Sequence, residues 1–139
     1  MKIIGFSFTK MSGERLKESA DTIKVNTELD FPDIREAKSN IINSKDELLE
    51  ATFEYKVNYE PNLAKIVIGG KILVAVEKEE AKEVLNGWKK KALPEKFRTP
   101  LFNVVIKKST LKALNLSDEL NLPVHIPFPS LKSPQETSD

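Results

Sequence analysis

Ile4, Phe6 and Phe8 alternate with Gly5, Ser7 and Thr9 near the start of the chain. A period of two predicts a strand with one face buried. Met11 to Ala20 is polar and predicts a connection with room for a short helical turn. Ile23, Val25, Thr27, Leu29 and Phe31 share one parity and predict a second strand. Pro32, which has no N–H for a ladder, should end it. Asp33 to Glu47 is charged and weakly periodic, and reads as a crossover or loop. Phe53, Tyr55, Val57 and Tyr59 alternate with Glu54, Lys56, Asn58 and Glu60, giving a third strand. Glu60-Pro61-Asn62 has the chemistry of a turn. The fourth strand should run from about Leu63 to Glu77, with Ala64, Ile66, Ile68, Ile72, Val74 and Val76 on one face. The Gly69-Gly70 pair in its middle predicts a bulge or bend.

The period then changes. Ala81, Val84, Leu85 and Trp88 form the i, i+3, i+4, i+7 stripe of an amphipathic helix. Glutamates 77, 79, 80 and 83 crowd its start and Lys89-Lys90-Lys91 its end, both favourable to the helix dipole. Pro94 breaks it. Thr99-Pro100 predicts the N-cap and first position of a second helix. That helix carries Leu101, Val104, Val105 and Lys108 on one side and Phe102, Ile106 and Ala113 on another. Two apolar faces imply burial by its own sheet and by a partner subunit. Pro123-Val124-His125-Ile126-Pro127-Phe128-Pro129 forbids a helix and favours an extended path. Four strands followed by two helices predict an α+β fold, a four-stranded antiparallel sheet with two C-terminal helices packed on one face.

Length adds that 139 residues suit one domain. We expect residues 1–131 to form it and 132–139, which has no apolar residue, to be a disordered tail. Basic and acidic residues number 22 and 21, so the net charge of +1 creates no long-range field to draw in nucleic acid. The chain has no cysteine, which excludes disulfides and thiolate chemistry and fits a reducing cytoplasm. No apolar run has the length of a membrane span.

The order of elements resembles the SecB-type export chaperone family. The resemblance is carried by Thr99-Pro100-Leu101-Phe102-Asn103-Val104-Val105, by Leu122-Pro123-Val124-His125-Ile126-Pro127-Phe128, and by Ile4-Gly5-Phe6-Ser7-Phe8 at the first strand. It covers nearly the whole chain in element order and about a quarter of it in residues. The family commonly breaks after its long helix with a Gly pair, where this chain has Asn115-Leu116-Ser117-Asp118-Glu119. The tail from Lys132 to Asp139 does not match the family's motor-binding end. The resemblance implies a homo-oligomer, dimer or tetramer, that holds unfolded polypeptides on apolar grooves without ATP.

The candidate chemistry points the same way. His125 is the only histidine and has no partner at catalytic spacing, so it reads as a packing residue. A lone histidine without cysteine cannot build a typical transition-metal site. The glutamates from 77 to 83 read as a solvated helix face, and Gly69-Gly70 lacks a phosphate-loop context. We find no catalytic residue, metal site or cofactor motif and expect no enzyme. Trp88, Phe102, Pro123, Val124, Ile126, Pro127, Phe128 and Leu131 are the candidates for holding a client polypeptide. The alternative is a ribosome- or RNA-associated factor that uses Lys89, Lys90, Lys91, Lys96 and Arg98, with Trp88 and Phe97 interleaved; Lys107, Lys108 and Lys112 form a second basic cluster.

Overall fold

The computed structural model describes residues 1–38 and 45–126. Strands β1 (Lys2–Arg15), β2 (Lys24–Ala37), β3 (Asp46–Glu60) and β4 (Ala64–Glu77) precede helices α1 (Lys78–Lys89) and α2 (Glu95–Glu119). The strands make one antiparallel sheet in the order β1-β4-β3-β2. The α+β architecture therefore has the form that the hydrophobic pattern predicts. Phe53, Tyr55, Val57 and Tyr59 of β3 and Ile66, Ile68, Ile72 and Val74 of β4 are buried in one core cluster with Ala81, Val84, Phe97, Leu101 and Val105 of the helices. Charges occupy the other face, where Glu50 lies 3.0 Å from Arg35 and 3.4 Å from Lys71.

The ends of β1 and β2 lie further along the chain than the sequence reading places them, and a bulge explains the second. The polar stretch after Met11 is not a connection at first, because β1 continues to Arg15. β1 is an edge strand, so its far end can be polar and still pair with β4. Its register with β4 shifts between Ile3 and Gly5 and again between Phe8 and Lys10. The first shift places Ile3 on the core side with Phe6 and Phe8, and leaves Ile4 43% exposed. Pro32 does not end β2. The strand shifts register between Asp30 and Asp33 and runs on to Ala37, so much of the presumed crossover is strand. Proline is tolerated there because the site is a bulge on an edge strand.

The Gly69-Gly70 bulge expected in β4 is absent from that strand's pairing with β3, which is regular throughout. The irregularity lies on β1 opposite the glycines. Gly70 is needed for close approach: a Cβ there would overlap the Ser7 carbonyl oxygen and fall 2.7 Å from Phe53 Cζ. The space goes to an aromatic cluster in which Phe6 lies 5.0 Å from Phe8 and 5.2 Å from Phe53 between ring centroids.

Helix α2 starts one turn before the predicted Thr99-Pro100 cap. Pro94 is its N-cap and Pro100 lies inside it. Its inward line is Phe97, Leu101, Val105, Ser109, Ala113 and Ser117, every fourth residue, all fully buried. That row drifts about 40° per step around a helix of 3.6 residues per turn, so the buried line winds as α2 crosses the sheet. Lys108, expected beside the inward residues, instead sits with its ammonium 5.0 Å above the Phe6 ring.

The end of α2 is fastened by a residue with no obvious sequence signal. Arg15 Nη1 donates to the carbonyls of Leu120, at 2.9 Å, and Asn121, at 3.0 Å. Its other nitrogens reach the carbonyls of Lys17, at 3.0 Å, and Glu18. A cation on the last carbonyls of a helix is favourable. Arg15→Ala should therefore cost about 1 kcal/mol. Hydrogen exchange should quicken selectively in the last turn of α2 and the loop after β1.

Candidate functional site

A groove of about 700 Å³ opens where the β2 bulge meets the end of α1 and the start of α2. Leu29, Phe31, Pro32, Trp88, Leu93 and Phe102 give it an apolar wall, and Lys89, Lys91, Arg98 and Asp30 add charges. Each part follows from local structure. The bulge turns Phe31 and Pro32 toward the helices. The Phe31 ring stacks on Phe102 at 5.2 Å between centroids, with 23° between planes. Trp88 is on the last turn of α1, and its indole nitrogen makes a long 3.5 Å hydrogen bond to the Phe31 carbonyl. Lys91, at φ 58°, reverses the chain between the helices. Trp88 and Phe102 are only half-buried, so the aromatic surface is reachable from solvent.

The candidates from the two sequence hypotheses thus meet in part. Trp88 and Phe102 from the client list share the groove with Lys89, Lys91 and Arg98 from the basic list. Lys90 and Lys96 are exposed and do not line it. Leu29, Phe31, Pro32 and Leu93 were missed. The available signal is the aromatic-proline pair Phe31-Pro32, which in sequence alone reads as a strand end. The second basic cluster is partly engaged elsewhere: Lys108 covers Phe6, and Lys112 lies 5.8 Å from the Phe8 centroid.

Pro123, Val124 and Ile126 lie in a separate segment that runs back beside β3 after α2 ends. Leu122 is buried and anchors it. Tyr59 donates to the Pro123 carbonyl at 2.7 Å and lies 3.0 Å from Ser117 Oγ. Ser117 in turn donates to the Ala113 carbonyl at 2.8 Å, so two hydroxyl hydrogens are shared among three contacts. Val124 and Ile126 are 43% and 39% exposed, which leaves apolar surface open along this segment. Pro127, Phe128 and Leu131, and the tail from 132 to 139, lie outside the described residues.

His125 is half-buried, with Nε2 3.0 Å from the Tyr55 hydroxyl, which is also 3.2 Å from Thr110 Oγ1. Burial holds its pKa below the ordinary 6.5. The docked segment thus favours the neutral ring, and the released segment binds a proton more readily. The sign follows: docking is fully favoured above the ordinary value and weakens as pH falls through it toward the lowered one. Acidification through the ordinary value should therefore weaken the docking of residues 122–126. An NMR titration of this sole histidine should give a pKa under the ordinary value, and His125→Gln should flatten the response.

Among the described residues, no cluster of three or more His, Asp or Glu side chains could hold a metal, and no helix is long and apolar enough to cross a membrane. What the site offers is an aromatic trough with a cationic rim.

The sheet order, the hairpin into α1 and the long α2 define a SecB-like fold. The chain is similar to the Mycobacterium tuberculosis SecB-like chaperone Rv1957, solved in complex with a ChAD peptide from the Rv1956 HigA1 antitoxin, with a TM-score of 0.56. The two share 11% identity over 94% of this chain and 89% of that one, so the likeness is one of fold. No family model matches the chain, and no curated protein does.

Proposed function

We propose that the chain is a SecB-like, ATP-independent holdase, a divergent relative of the SecB-type chaperones that acts in the cytoplasm on unfolded polypeptides. The observation that carries this reading is the accessible aromatic groove of Phe31, Trp88 and Phe102. An extended segment laid beside the β2 bulge would place alternate side chains against those rings. Its affinity would come from apolar burial, about 25 cal/mol per Å² less the ordering cost, and would tolerate many sequences. The similar structure's bound peptide supports a polypeptide as the kind of partner. The test is aggregation of a denatured model protein without nucleotide. Suppression at stoichiometric amounts is expected, and none would end the holdase reading.

Self-association belongs to the same proposal. Ile106 and Leu111 of α2 are 44% and 64% exposed, and edge strand β1 exposes Ile4 and Met11. A partner subunit laid on α2 would cover Ile106 and Leu111. Leu111→Glu would place a charge in that contact and should shift a dimer or tetramer toward monomer by light scattering, with little change in unfolding free energy.

A second reading has one observation in its favour. Lys89, Lys91 and Arg98 border the same groove as Trp88, a pairing of cations and aromatic that suits single-stranded RNA or a ribosomal surface. Affinity on that reading would fall steeply with salt.

A further inference from the structure

The charges that line the groove are unequally engaged. Among the described residues, Lys89, Lys91 and Arg98 are exposed and take part in no ion pair. Several cations elsewhere are occupied. Arg35 and Lys71 share Glu50, Lys56 holds Glu54, Arg15 holds backbone carbonyls, and Lys108 lies over Phe6. The carboxylate in the lining, Asp30, accepts a hydrogen bond from the Phe31 N–H at 2.9 Å. The groove therefore sets three uncommitted cations against one carboxylate that already has a donor.

Wall and rim together impose a pattern on an extended occupant. Side chains of an extended chain point alternately to opposite sides. A residue seated among Leu29, Phe31, Trp88, Leu93 and Phe102 must be apolar, because a polar group buried there without a partner is costly. Its neighbours in sequence then point away from the wall, toward exposed ammonium and guanidinium groups. A carboxylate at those positions gains charge-assisted hydrogen bonds, and Arg98 can grip it with two. A lysine there meets repulsion. RNA fits this lining less well. It brings a phosphate with every nucleotide, whereas the rim has three cations, an opposing Asp30 and aliphatic neighbours at Leu29, Pro32 and Leu93. The net charge of +1 adds no field to hold such a chain.

We infer that the groove selects polypeptide segments in which an aromatic or aliphatic residue is flanked by Asp or Glu. This selection rests on the holdase reading and adds an acidic preference to its apolar affinity. Exposed ion pairs contribute about twofold to fivefold each, so three should give a preference of about tenfold. Segments flanked by Lys or Arg should be the poorest clients.

Trp88 is the only tryptophan and reports on the groove directly. Three unfolded, tryptophan-free peptides with one shared apolar core should be compared, flanked by Glu, by Gln or by Lys. At low salt the Glu peptide should shift Trp88 emission at about tenfold lower concentration than the Gln peptide, with the Lys peptide weakest. The spread should close at high salt, where exposed charges are screened. Lys89→Gln/Lys91→Gln/Arg98→Gln should bring the three peptides together, and changing the same three residues to Glu should reverse their order. Equal binding of all three peptides to the parent overturns the acidic preference and leaves the holdase reading standing. Binding of none removes the holdase reading and the preference with it. An order that persists in the triple Gln variant overturns the assignment to these cations. Displacement of the Glu peptide by a lower concentration of single-stranded RNA overturns it in favour of nucleic acid. Parent emission that shifts on dilution alone overturns it in favour of a second copy of the chain.

Discussion

Phe102→Ala should weaken the binding of an unfolded polypeptide by about 2 kcal/mol, roughly thirtyfold in Kd. The ring is half-buried, stacked on Phe31, and forms one wall of the groove. Removing it takes away both a contact surface and the support that orients Phe31. Its exposed share means that the fold depends on it less than on Phe97, Leu101 or Val105, which are fully sealed. Binding should therefore fall much further than stability. Titration of a permanently unfolded polypeptide, alongside a thermal melt of the same sample, separates the two. Leu111→Glu, on the exposed part of α2, is the control and should leave the intrinsic affinity of the groove near that of the parent.

The largest effect on stability is expected at Gly70. Alanine there must displace either the Ser7 carbonyl, which belongs to the β1 ladder, or the Phe53 ring, which is packed in the core. Neither is the free end of a flexible side chain. Overpacking of this kind costs about 3 kcal/mol. The denaturation midpoint should fall while the denaturant slope stays constant, since the surface exposed on unfolding hardly changes. Gly69 provides the contrast. A Cβ there meets only ordinary contacts, at 3.5 Å from Lys10 Cβ and the Phe53 carbonyl oxygen. Gly69→Ala should cost far less.

Much of the fold was legible because strict alternation is hard to produce by accident. Phe53 to Tyr59 and Ala64 to Val76 announced the central strands, and both are central and fully paired. The edge strands were harder. Ile4 breaks parity because a bulge flips it outward, and Pro32 read as a stop because the extra residue that accommodates it has no signature of its own. The same bulge forms one wall of the groove, so the misread strand end also hid Phe31 and Pro32 as site residues. Trp88 and Phe102 could be named from sequence because each is a large aromatic on a helix with a covered face. Their meeting across the interhelical turn depends on Lys91 and on α2 beginning at Glu95. Arg15 was illegible, since its role rests on carbonyls more than a hundred positions away.

The central claim is that unfolded polypeptide is held by apolar contact in the Trp88 groove. It is tested most directly by following Trp88 emission while titrating an unfolded, uncharged polypeptide at low and at high salt. The account predicts a saturable shift to the blue whose midpoint scarcely moves with salt. Client binding that leaves this indole silent, or a midpoint that climbs steeply with added salt, would contradict it.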